Sequence, residues 1–294
     1  MKERFTIPYF NYDAPRTLPE AVRILGKYGS DAALAAGGTT ILVDLKRGDL
    51  KPPKMLVDIS RLRSLEFVKF NRRTGLRVGA LTKLEDLGQS KVAQEKYPVI
   101  VDAIRSMGTV QVCNMATVGG NICGGSPCSD LAVPLLVLEA LLTLRSRGKV
   151  RKVEMEDLYT APYKTCLKSS EMLTEIQIPY FKDCGMAFMR FGRTAVDLGL
   201  AKVAVLIKIG SGRRCSLFRL GIGTATKIPK RIRSVEKLLT GRKVDETWGD
   251  QVAKVLEDEE YVDDWRASSQ YRMELCKVLS KRALQKAITM AEGK

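Results

Sequence analysis

Two glycine-rich segments are the part of this sequence whose residue types and spacing best support chemistry. The first is Leu34–Ile41, which reads Leu-Ala-Ala-Gly-Gly-Thr-Thr-Ile, and the second is Ala116–Asp130, which contains another Gly-Gly pair. Paired glycines let a backbone approach a ligand closely and turn successive N–H groups toward an anion. Two such segments can hold one pyrophosphate from two sides. The sequence therefore favours a dinucleotide cofactor.

Neither segment matches the two commonest phosphate-binding loops. The Gly-Lys-Ser/Thr end of a P-loop is missing, and no G-x-G-x-x-G lies between the strand and helix of a βαβ unit. One Gly-Gly pair alone is more typical of a plain turn. The second segment also carries Asp130, which is placed either to cap a helix or to bind a ribose. The pair of segments together supports cofactor binding better than either one alone.

The sequence contains no histidine among its 294 residues. This excludes Ser-His-Asp and Cys-His catalytic sites, the zincin helix and Cys/His zinc fingers. It also removes the side chain best suited to proton transfer near neutral pH. We therefore assign the chemistry to a bound cofactor and predict no catalytic side chain in this chain.

Three of the seven cysteines, Cys113, Cys123 and Cys128, lie in or near the second glycine segment. A metal cluster is one interpretation, but the spacing suits neither zinc nor ferredoxin-type sites. Small, half-buried thiols in a tight loop are the preferred interpretation. The odd cysteine count argues against a disulfide framework. We predict no metal site.

The N-terminus, MKERFTIPYF, lacks a signal-peptide pattern, and no apolar run is long enough to span a bilayer. We therefore expect a cytoplasmic protein. Lys and Arg number 49 against 33 acidic residues, a net charge of +16. Few aromatic residues lie among the basic ones, so a solvated surface or an acidic protein partner is favoured over nucleic acid.

The chain is predicted to be α+β in three units, at 1–58, 59–178 and 179–294. In the first, Thr17 and Glu20 cap a helix over 16–29 that ends at Gly29, and a short helix covers 40–46. In the second, Thr82 and Glu85 cap a short helix, Pro98 opens another, and Asp130 caps the apolar run 131–144, whose helical part is expected to be buried. Strands are predicted at 32–36, 56–59, 65–70, 76–80, 172–178, 187–191, 200–209 and 215–222. A hairpin is predicted around 147–149. Helices are predicted at 230–240, 246–257 and 268–291.

At the level of motifs, the chain resembles the FAD-binding medium subunit of the molybdenum hydroxylases, the xanthine dehydrogenase and carbon monoxide dehydrogenase family. One motif of that family is A-G-G-T-x-L-L-x-x-M-K, to which Ala36–Lys46 of this chain is similar. Another is A-T-I-G-G-N-I-x-x-x-S-P-x-x-D-x-x-P, to which Ala116–Pro134 is similar. Further similar stretches are Leu173–Pro179, Phe191–Leu198 and Tyr271–Ala283. The resemblance covers nearly the whole chain.

The resemblance implies a two-subdomain FAD-binding fold of the vanillyl-alcohol-oxidase type, followed by a C-terminal α+β domain with a three-stranded antiparallel sheet. It implies FAD as cofactor and two partners, a small subunit with 2Fe–2S clusters and a large molybdopterin subunit. Electrons would pass from the iron–sulfur clusters through FAD to an external acceptor. The alternative is a self-contained flavin oxidoreductase of the same fold. A basic nucleic-acid-binding module is a third hypothesis, from another class.

The resemblance also implies which residues bind the cofactor. Backbone N–H groups of both segments would surround the pyrophosphate, Thr117 and Ser126 would donate from side chains, and Asp130 would accept from the ribose or adenine end. Leu173 and Arg190 would approach the flavin ring, or else be strand core and a solvated charge. The cofactor-binding set is Leu34, Ala35, Ala36, Gly37, Gly38, Thr39, Thr40, Ile41, Ala116, Thr117, Gly119, Gly120, Asn121, Ser126, Asp130, Leu173 and Arg190.

One branch of that family, the benzoyl-CoA reductases, carries an extra iron–sulfur cluster in a long insertion near the second segment. Here Asp130 and Pro134 follow Cys128 without such an insertion. We therefore expect no iron–sulfur cluster in this chain.

Overall fold

The structure is a computed structural model and describes residues 6–293. Its first sheet is parallel, in the order β1-β3-β2. The strands and helices of this part are β1 (Asn11–Asp13), α1 (Leu18–Tyr28), β2 (Ala32–Ala35), α2 (Ile41–Arg47) and β3 (Met55–Asp58). Helix α1 forms where predicted because the Thr17 side chain accepts from the Glu20 N–H, and it stops at Gly29, whose φ is +52°.

The second sheet is antiparallel, in the order β4-β5-β10-β6-β7. Its strands are β4 (Val68–Asn71), β5 (Gly75–Gly79), β6 (Leu141–Ser146), β7 (Lys149–Glu154) and β10 (Met172–Ile178). The pair β8 (Tyr159–Ala161) and β9 (Lys164–Thr165) lies beside it. Its helices are α3 (Leu84–Gln89), α4 (Lys91–Lys96), α5 (Pro98–Arg105), α6 (Val110–Met115), α7 (Val118–Cys123) and α8 (Ala132–Val137).

The third sheet is antiparallel, in the order β11-β12-β13-β14. Its elements are β11 (Gly185–Phe191), β12 (Ala201–Ile209), β13 (Cys215–Gly223), β14 (Lys230–Arg231), α9 (Arg233–Leu239), α10 (Trp248–Leu256) and α11 (Ser269–Glu292). Helix α11 covers one face and α8 covers the other. Alternate residues of β12 therefore enter two cores: Ala204 and Leu206 join the core of the second sheet, and Val203 and Val205 join the core with α11.

The apolar run 131–144 holds the buried helix α8 followed by strand β6, and the two are joined through Glu139 at φ +49°. Two of the local predictions were wrong. Thr82 does not cap α3, because its hydroxyl bonds both the N–H and the carbonyl of Phe67. The C-terminal sheet has four strands rather than three, since Lys230–Arg231 pairs with β13 where a helix was expected to begin.

Within residues 6–293, no helix is both long and apolar enough to cross a membrane.

Candidate cofactor site

The first glycine segment lies at the carboxyl end of β2, the edge of a parallel sheet at which ligands commonly bind. Leu34 and Ala35 belong to β2, residues 36–40 form the loop, and Ile41 begins α2. Gly38 has φ +72°, a left-handed conformation that glycine adopts at little cost. The N–H groups of residues 37–41 donate to no acceptor in the described part of the chain. This loop therefore presents a run of free donors.

The second segment uses its N–H groups inside the protein. Thr117 caps α7 by accepting from the Gly120 N–H at 3.0 Å, and the Gly119 N–H donates to the Ala80 carbonyl at 2.8 Å. The Asn121 N–H donates to the Thr117 carbonyl. The predicted backbone contacts of Gly119, Gly120 and Asn121 with the pyrophosphate thus remain predictions. The free donors in this geometry are on the first segment.

The two segments touch at Gly37. A Cβ atom built on Gly37 would lie 2.0 Å from the Met115 carbonyl oxygen and 3.0 Å from the Cα of Ala116. Gly119 is similarly close to Ala80, with a Cβ at 2.7 Å from its carbonyl oxygen. Both glycines are needed because backbones meet there. Gly120 is different, since it lies in α7 and its Cβ would meet only the Thr117 hydroxyl, at 2.9 Å.

The turn that follows α7 is shaped by polar side chains of the predicted set. Asn121 Oδ1 accepts from the Ser129 hydroxyl at 2.7 Å and from the Leu131 N–H at 3.2 Å. Ser126 Oγ accepts from the Cys128 N–H at 3.2 Å. These bonds fix the backbone between α7 and α8, so Asn121 and Ser126 have a structural role here.

Asp130 makes an ion pair instead of a helix cap. Its Oδ1 lies 2.6 Å from Nζ of Lys202, a fully buried residue of β12. Helix α8 begins at Ala132 without a side-chain cap, so the predicted capping role was wrong. Asp130 Oδ2 makes no hydrogen bond to residues 6–293 and so is available to a ligand.

The two residues predicted near the flavin ring lie in different strands. Leu173 is buried in β10 opposite Leu144 and belongs to the main core, and its approach to the flavin ring stays a prediction. Arg190, in β11, donates from one nitrogen to the carbonyls of Ser106 and Ala195, at 2.8 and 3.2 Å. Its buried Nε has no partner among the described residues. Arg190 is therefore no solvated charge.

Two of the cysteines near the second segment, Cys113 and Cys123, have raised pKa values, which favours their protonated thiol forms. Burial, together with the neighbouring Cys166, raises the pKa of Cys123 to about 12. Burial also raises the pKa of Cys113, whose thiol faces the Met107 carbonyl. Among residues 6–293, no group of three or more His, Cys, Asp or Glu residues is arranged to hold a metal ion.

The sequence did not reveal the contacts that the C-terminal part makes with residues 127–130. The Thr224 N–H donates to the Pro127 carbonyl at 3.0 Å, and Lys202 donates to the Cys128 carbonyl. An Arg266 nitrogen lies 3.5 Å from the Cys128 sulfur. The sequence signal for these contacts was Lys202, a lysine within the otherwise apolar strand 201–207. Its partner could not be identified because it lies far away in the chain.

Comparison with known proteins decides the family. Residues 8–181 match the family described as FAD binding domain in molybdopterin dehydrogenase, and residues 186–287 match the CO dehydrogenase flavoprotein C-terminal domain. The chain belongs to the FAD-binding medium subunits of the molybdenum hydroxylases. It is therefore an oxidoreductase subunit whose cofactor is FAD. The free amides of residues 37–41 and the open Oδ2 of Asp130 fit the pyrophosphate and a ribose hydroxyl of that cofactor.

Relatives that align with nearly all of this chain include other medium subunits. The glyceraldehyde dehydrogenase medium chain of Sulfolobus acidocaldarius is 34% identical over 95% of this chain and 98% of its own. The carbon monoxide dehydrogenase medium chain of Hydrogenophaga pseudoflava is 30% identical over 95% and 97%. A chain in the crystal structure of the Cu,Mo-CO dehydrogenase superposes with a TM-score of 0.92 at 27% identity, covering 97% of this chain and all of that one. The expected α+β FAD-binding fold is confirmed.

The Thr117 cap gives a first prediction. Thr117→Ala removes the acceptor of the Gly120 N–H and is expected to lower the free energy of unfolding of the apoprotein by about 1 kcal/mol. FAD affinity is expected to fall as well, because the cap fixes the second segment. Urea denaturation and flavin titration measure the two effects. Thr117→Ser, which keeps the hydroxyl, is the matched control, and equal stability of both variants would contradict the capping role.

Proposed function

We propose that this medium subunit transfers electrons within a molybdenum hydroxylase complex. Electrons arrive from the iron–sulfur clusters of a small subunit, pass to FAD, and leave to an external acceptor, while a large molybdopterin subunit oxidises the substrate. Membership in a family of medium chains supports the presence of partner subunits. The observation that carries the proposal is the donor-rich first loop in a chain without histidine.

The chain's own residues bind and orient the cofactor. The free N–H groups of residues 37–41 stabilise the negative pyrophosphate, and Gly37 allows the two glycine segments to close around it. FAD supplies the redox chemistry, since it exchanges electrons in single steps or in pairs. No side chain of the site needs to act as an acid or base on an organic substrate.

We propose the division at 1–58, 59–178 and 179–294 as the domain organisation. Each of the three main sheets lies within one of these ranges, which supports it. We also propose a cytoplasmic location, supported by the seven free cysteines of the chain.

The positive charge supports an acidic docking partner, which we propose to be the iron–sulfur subunit. The β6–β7 hairpin carries Arg145, Arg147, Lys149 and Lys152, which are exposed and form no ion pair within residues 6–293. Unpaired cations attract an acidic surface over about 8–10 Å at physiological ionic strength. Salt is therefore expected to slow the association.

Reconstitution tests the proposed electron transfer. The FAD-loaded chain is mixed with its reduced iron–sulfur subunit, and flavin absorbance is followed in a stopped-flow instrument as ionic strength is raised. Rapid flavin reduction that slows with salt is expected. The chain alone should not be reduced by the organic substrate of the complex, and adding both partner subunits should restore that reduction. Turnover of the substrate at full rate by the chain alone would replace this proposal with the self-contained flavoenzyme.

A further inference from the structure

The turn between the second glycine segment and α8 is held by residues far away in the sequence. Its residues 127–130 contact Lys202, Thr224 and Arg266, all on the C-terminal side of the molecule. We infer that Lys202 is a positioning residue for FAD, which it orients through Asp130. This inference rests on the proposed contact between Asp130 and the cofactor, and it adds to that contact a residue from the C-terminal sheet.

Lys202 is fully buried in a strand whose residues 201–207 are all buried. Its ammonium has two acceptors, Asp130 Oδ1 at 2.6 Å and the Cys128 carbonyl. A buried ion pair of this kind is often no more stable than an apolar pair of similar volume. Net stability is therefore a weak explanation for this buried ion pair. We assign Lys202 the role of fixing the Asp130 carboxylate in one orientation.

The orientation matters because the two oxygens of Asp130 are used differently. Lys202 occupies Oδ1, whereas Oδ2 forms no hydrogen bond to the described residues, and 7% of the residue stays exposed. With Oδ1 fixed, Oδ2 is held in one place as an acceptor for a ribose hydroxyl. Without Lys202 the Asp130 carboxylate is free to rotate. The entropic cost of fixing it then falls on FAD binding and lowers the affinity.

A strained residue supports the same inference. Thr224 is buried and has φ +65°, an outlier for a β-branched side chain. This conformation directs its N–H to the Pro127 carbonyl, which lies three residues before Asp130. Strain of this kind persists where the surrounding structure imposes it, commonly at ligand sites. Thr224 and Lys202 thus hold the two ends of the same turn.

A double-mutant cycle tests the inference. The variants are Asp130→Asn, Lys202→Met and the two combined, and Lys208→Met is a matched control on the same strand, without an ion pair in the described structure. Flavin-fluorescence titration gives the FAD Kd, and thermal unfolding of each apoprotein reports stability separately. We expect Lys202→Met to raise the Kd by at least about 10-fold and Lys208→Met to leave it unchanged. The combined variant is expected to bind FAD as Asp130→Asn does, because both changes interrupt one interaction.

Other outcomes distinguish a failure of the inference about Lys202 from a failure of the proposed contact between Asp130 and FAD. If Asp130→Asn weakens FAD binding but Lys202→Met does not, the inference fails and the Asp130 contact stands. If neither changes the Kd, both fail. If the two effects multiply in the combined variant, Lys202 acts independently of Asp130 and the inference fails. Should Lys202→Met alone not fold, the charge-balanced combined variant replaces it, and an FAD Kd above that of Asp130→Asn overturns the inference.

Discussion

Gly37→Ala is expected to weaken FAD binding by about 100-fold, which corresponds to about 2.7 kcal/mol. The added Cβ would lie 2.0 Å from the Met115 carbonyl oxygen, so the two glycine segments must separate by roughly 1 Å or more. This displacement moves the free N–H groups of residues 37–41 away from a pyrophosphate placed between the segments. Equilibrium dialysis with FAD measures the loss.

Gly26→Ala is the matched control, because it makes the same change in helix α1, where nothing lies within 4 Å of the new methyl group. It should keep its flavin and gain about 0.5–1 kcal/mol of stability. The far-ultraviolet circular dichroism of Gly37→Ala shows whether the fold survives. A well-folded Gly37→Ala protein with the affinity of the parent would show that the first segment does not bind the pyrophosphate.

Arg272→Met is expected to lower the free energy of unfolding by about 3–5 kcal/mol, since it removes one partner of a buried ion pair. Arg272 is fully buried and donates to the Leu200 carbonyl at 2.7 Å, to the Thr224 carbonyl at 3.3 Å and to Asp264 at 2.7 Å. Urea denaturation at neutral pH measures the loss. Arg282→Met is the control, because Arg282 is exposed on the same helix and should change stability by less than about 0.5 kcal/mol.

The difference in the free energy of unfolding between the parent and Arg272→Met should depend on pH, and the pKa of Asp264 gives the direction. Desolvation raises the pKa of Asp264, but hydrogen bonds from Arg266 and Arg272 outweigh it and hold that pKa well below its ordinary value. A lowered carboxyl pKa contributes stability above the unfolded value, near pH 4, and this contribution is lost as the pH falls further. The gap between parent and Arg272→Met should therefore narrow in acid. A constant gap from neutral pH down to pH 3 would assign the loss to packing alone.

The sequence predicted elements whose signals are local. Helix α1 carries its cap, its apolar stripe and its terminating glycine within one short stretch, and strand β10 was predicted with its observed bounds. The point within 131–144 at which the helix ends and the strand begins was not predicted, because a continuous apolar stretch fits a buried helix and a buried strand equally well. Strand β14 has only two residues and depends on its pairing with β13.

The candidate site also has features that the sequence reveals and features that only the structure reveals. The two glycine segments are visible as motifs, since glycine pairs have a direct backbone meaning. The contact of Gly37 with Met115 and the pairing of Asp130 with Lys202 join residues remote in sequence, and no periodicity encodes them. The sequence therefore predicted a cofactor-binding region, and the folded chain showed which groups hold that region in place.

Residues 127–130 are held by contacts with residues that are synthesised later, so the order of synthesis affects when this turn can fold. A ribosome releases the second glycine segment well before it releases Lys202, Thr224 and Arg266, and domains generally fold N-terminal part first as the chain emerges. The turn that carries Asp130 cannot reach its final shape until those later residues have been made and the third sheet has docked. A chain truncated before β12 would therefore carry both glycine segments without the ion pair between Asp130 and Lys202.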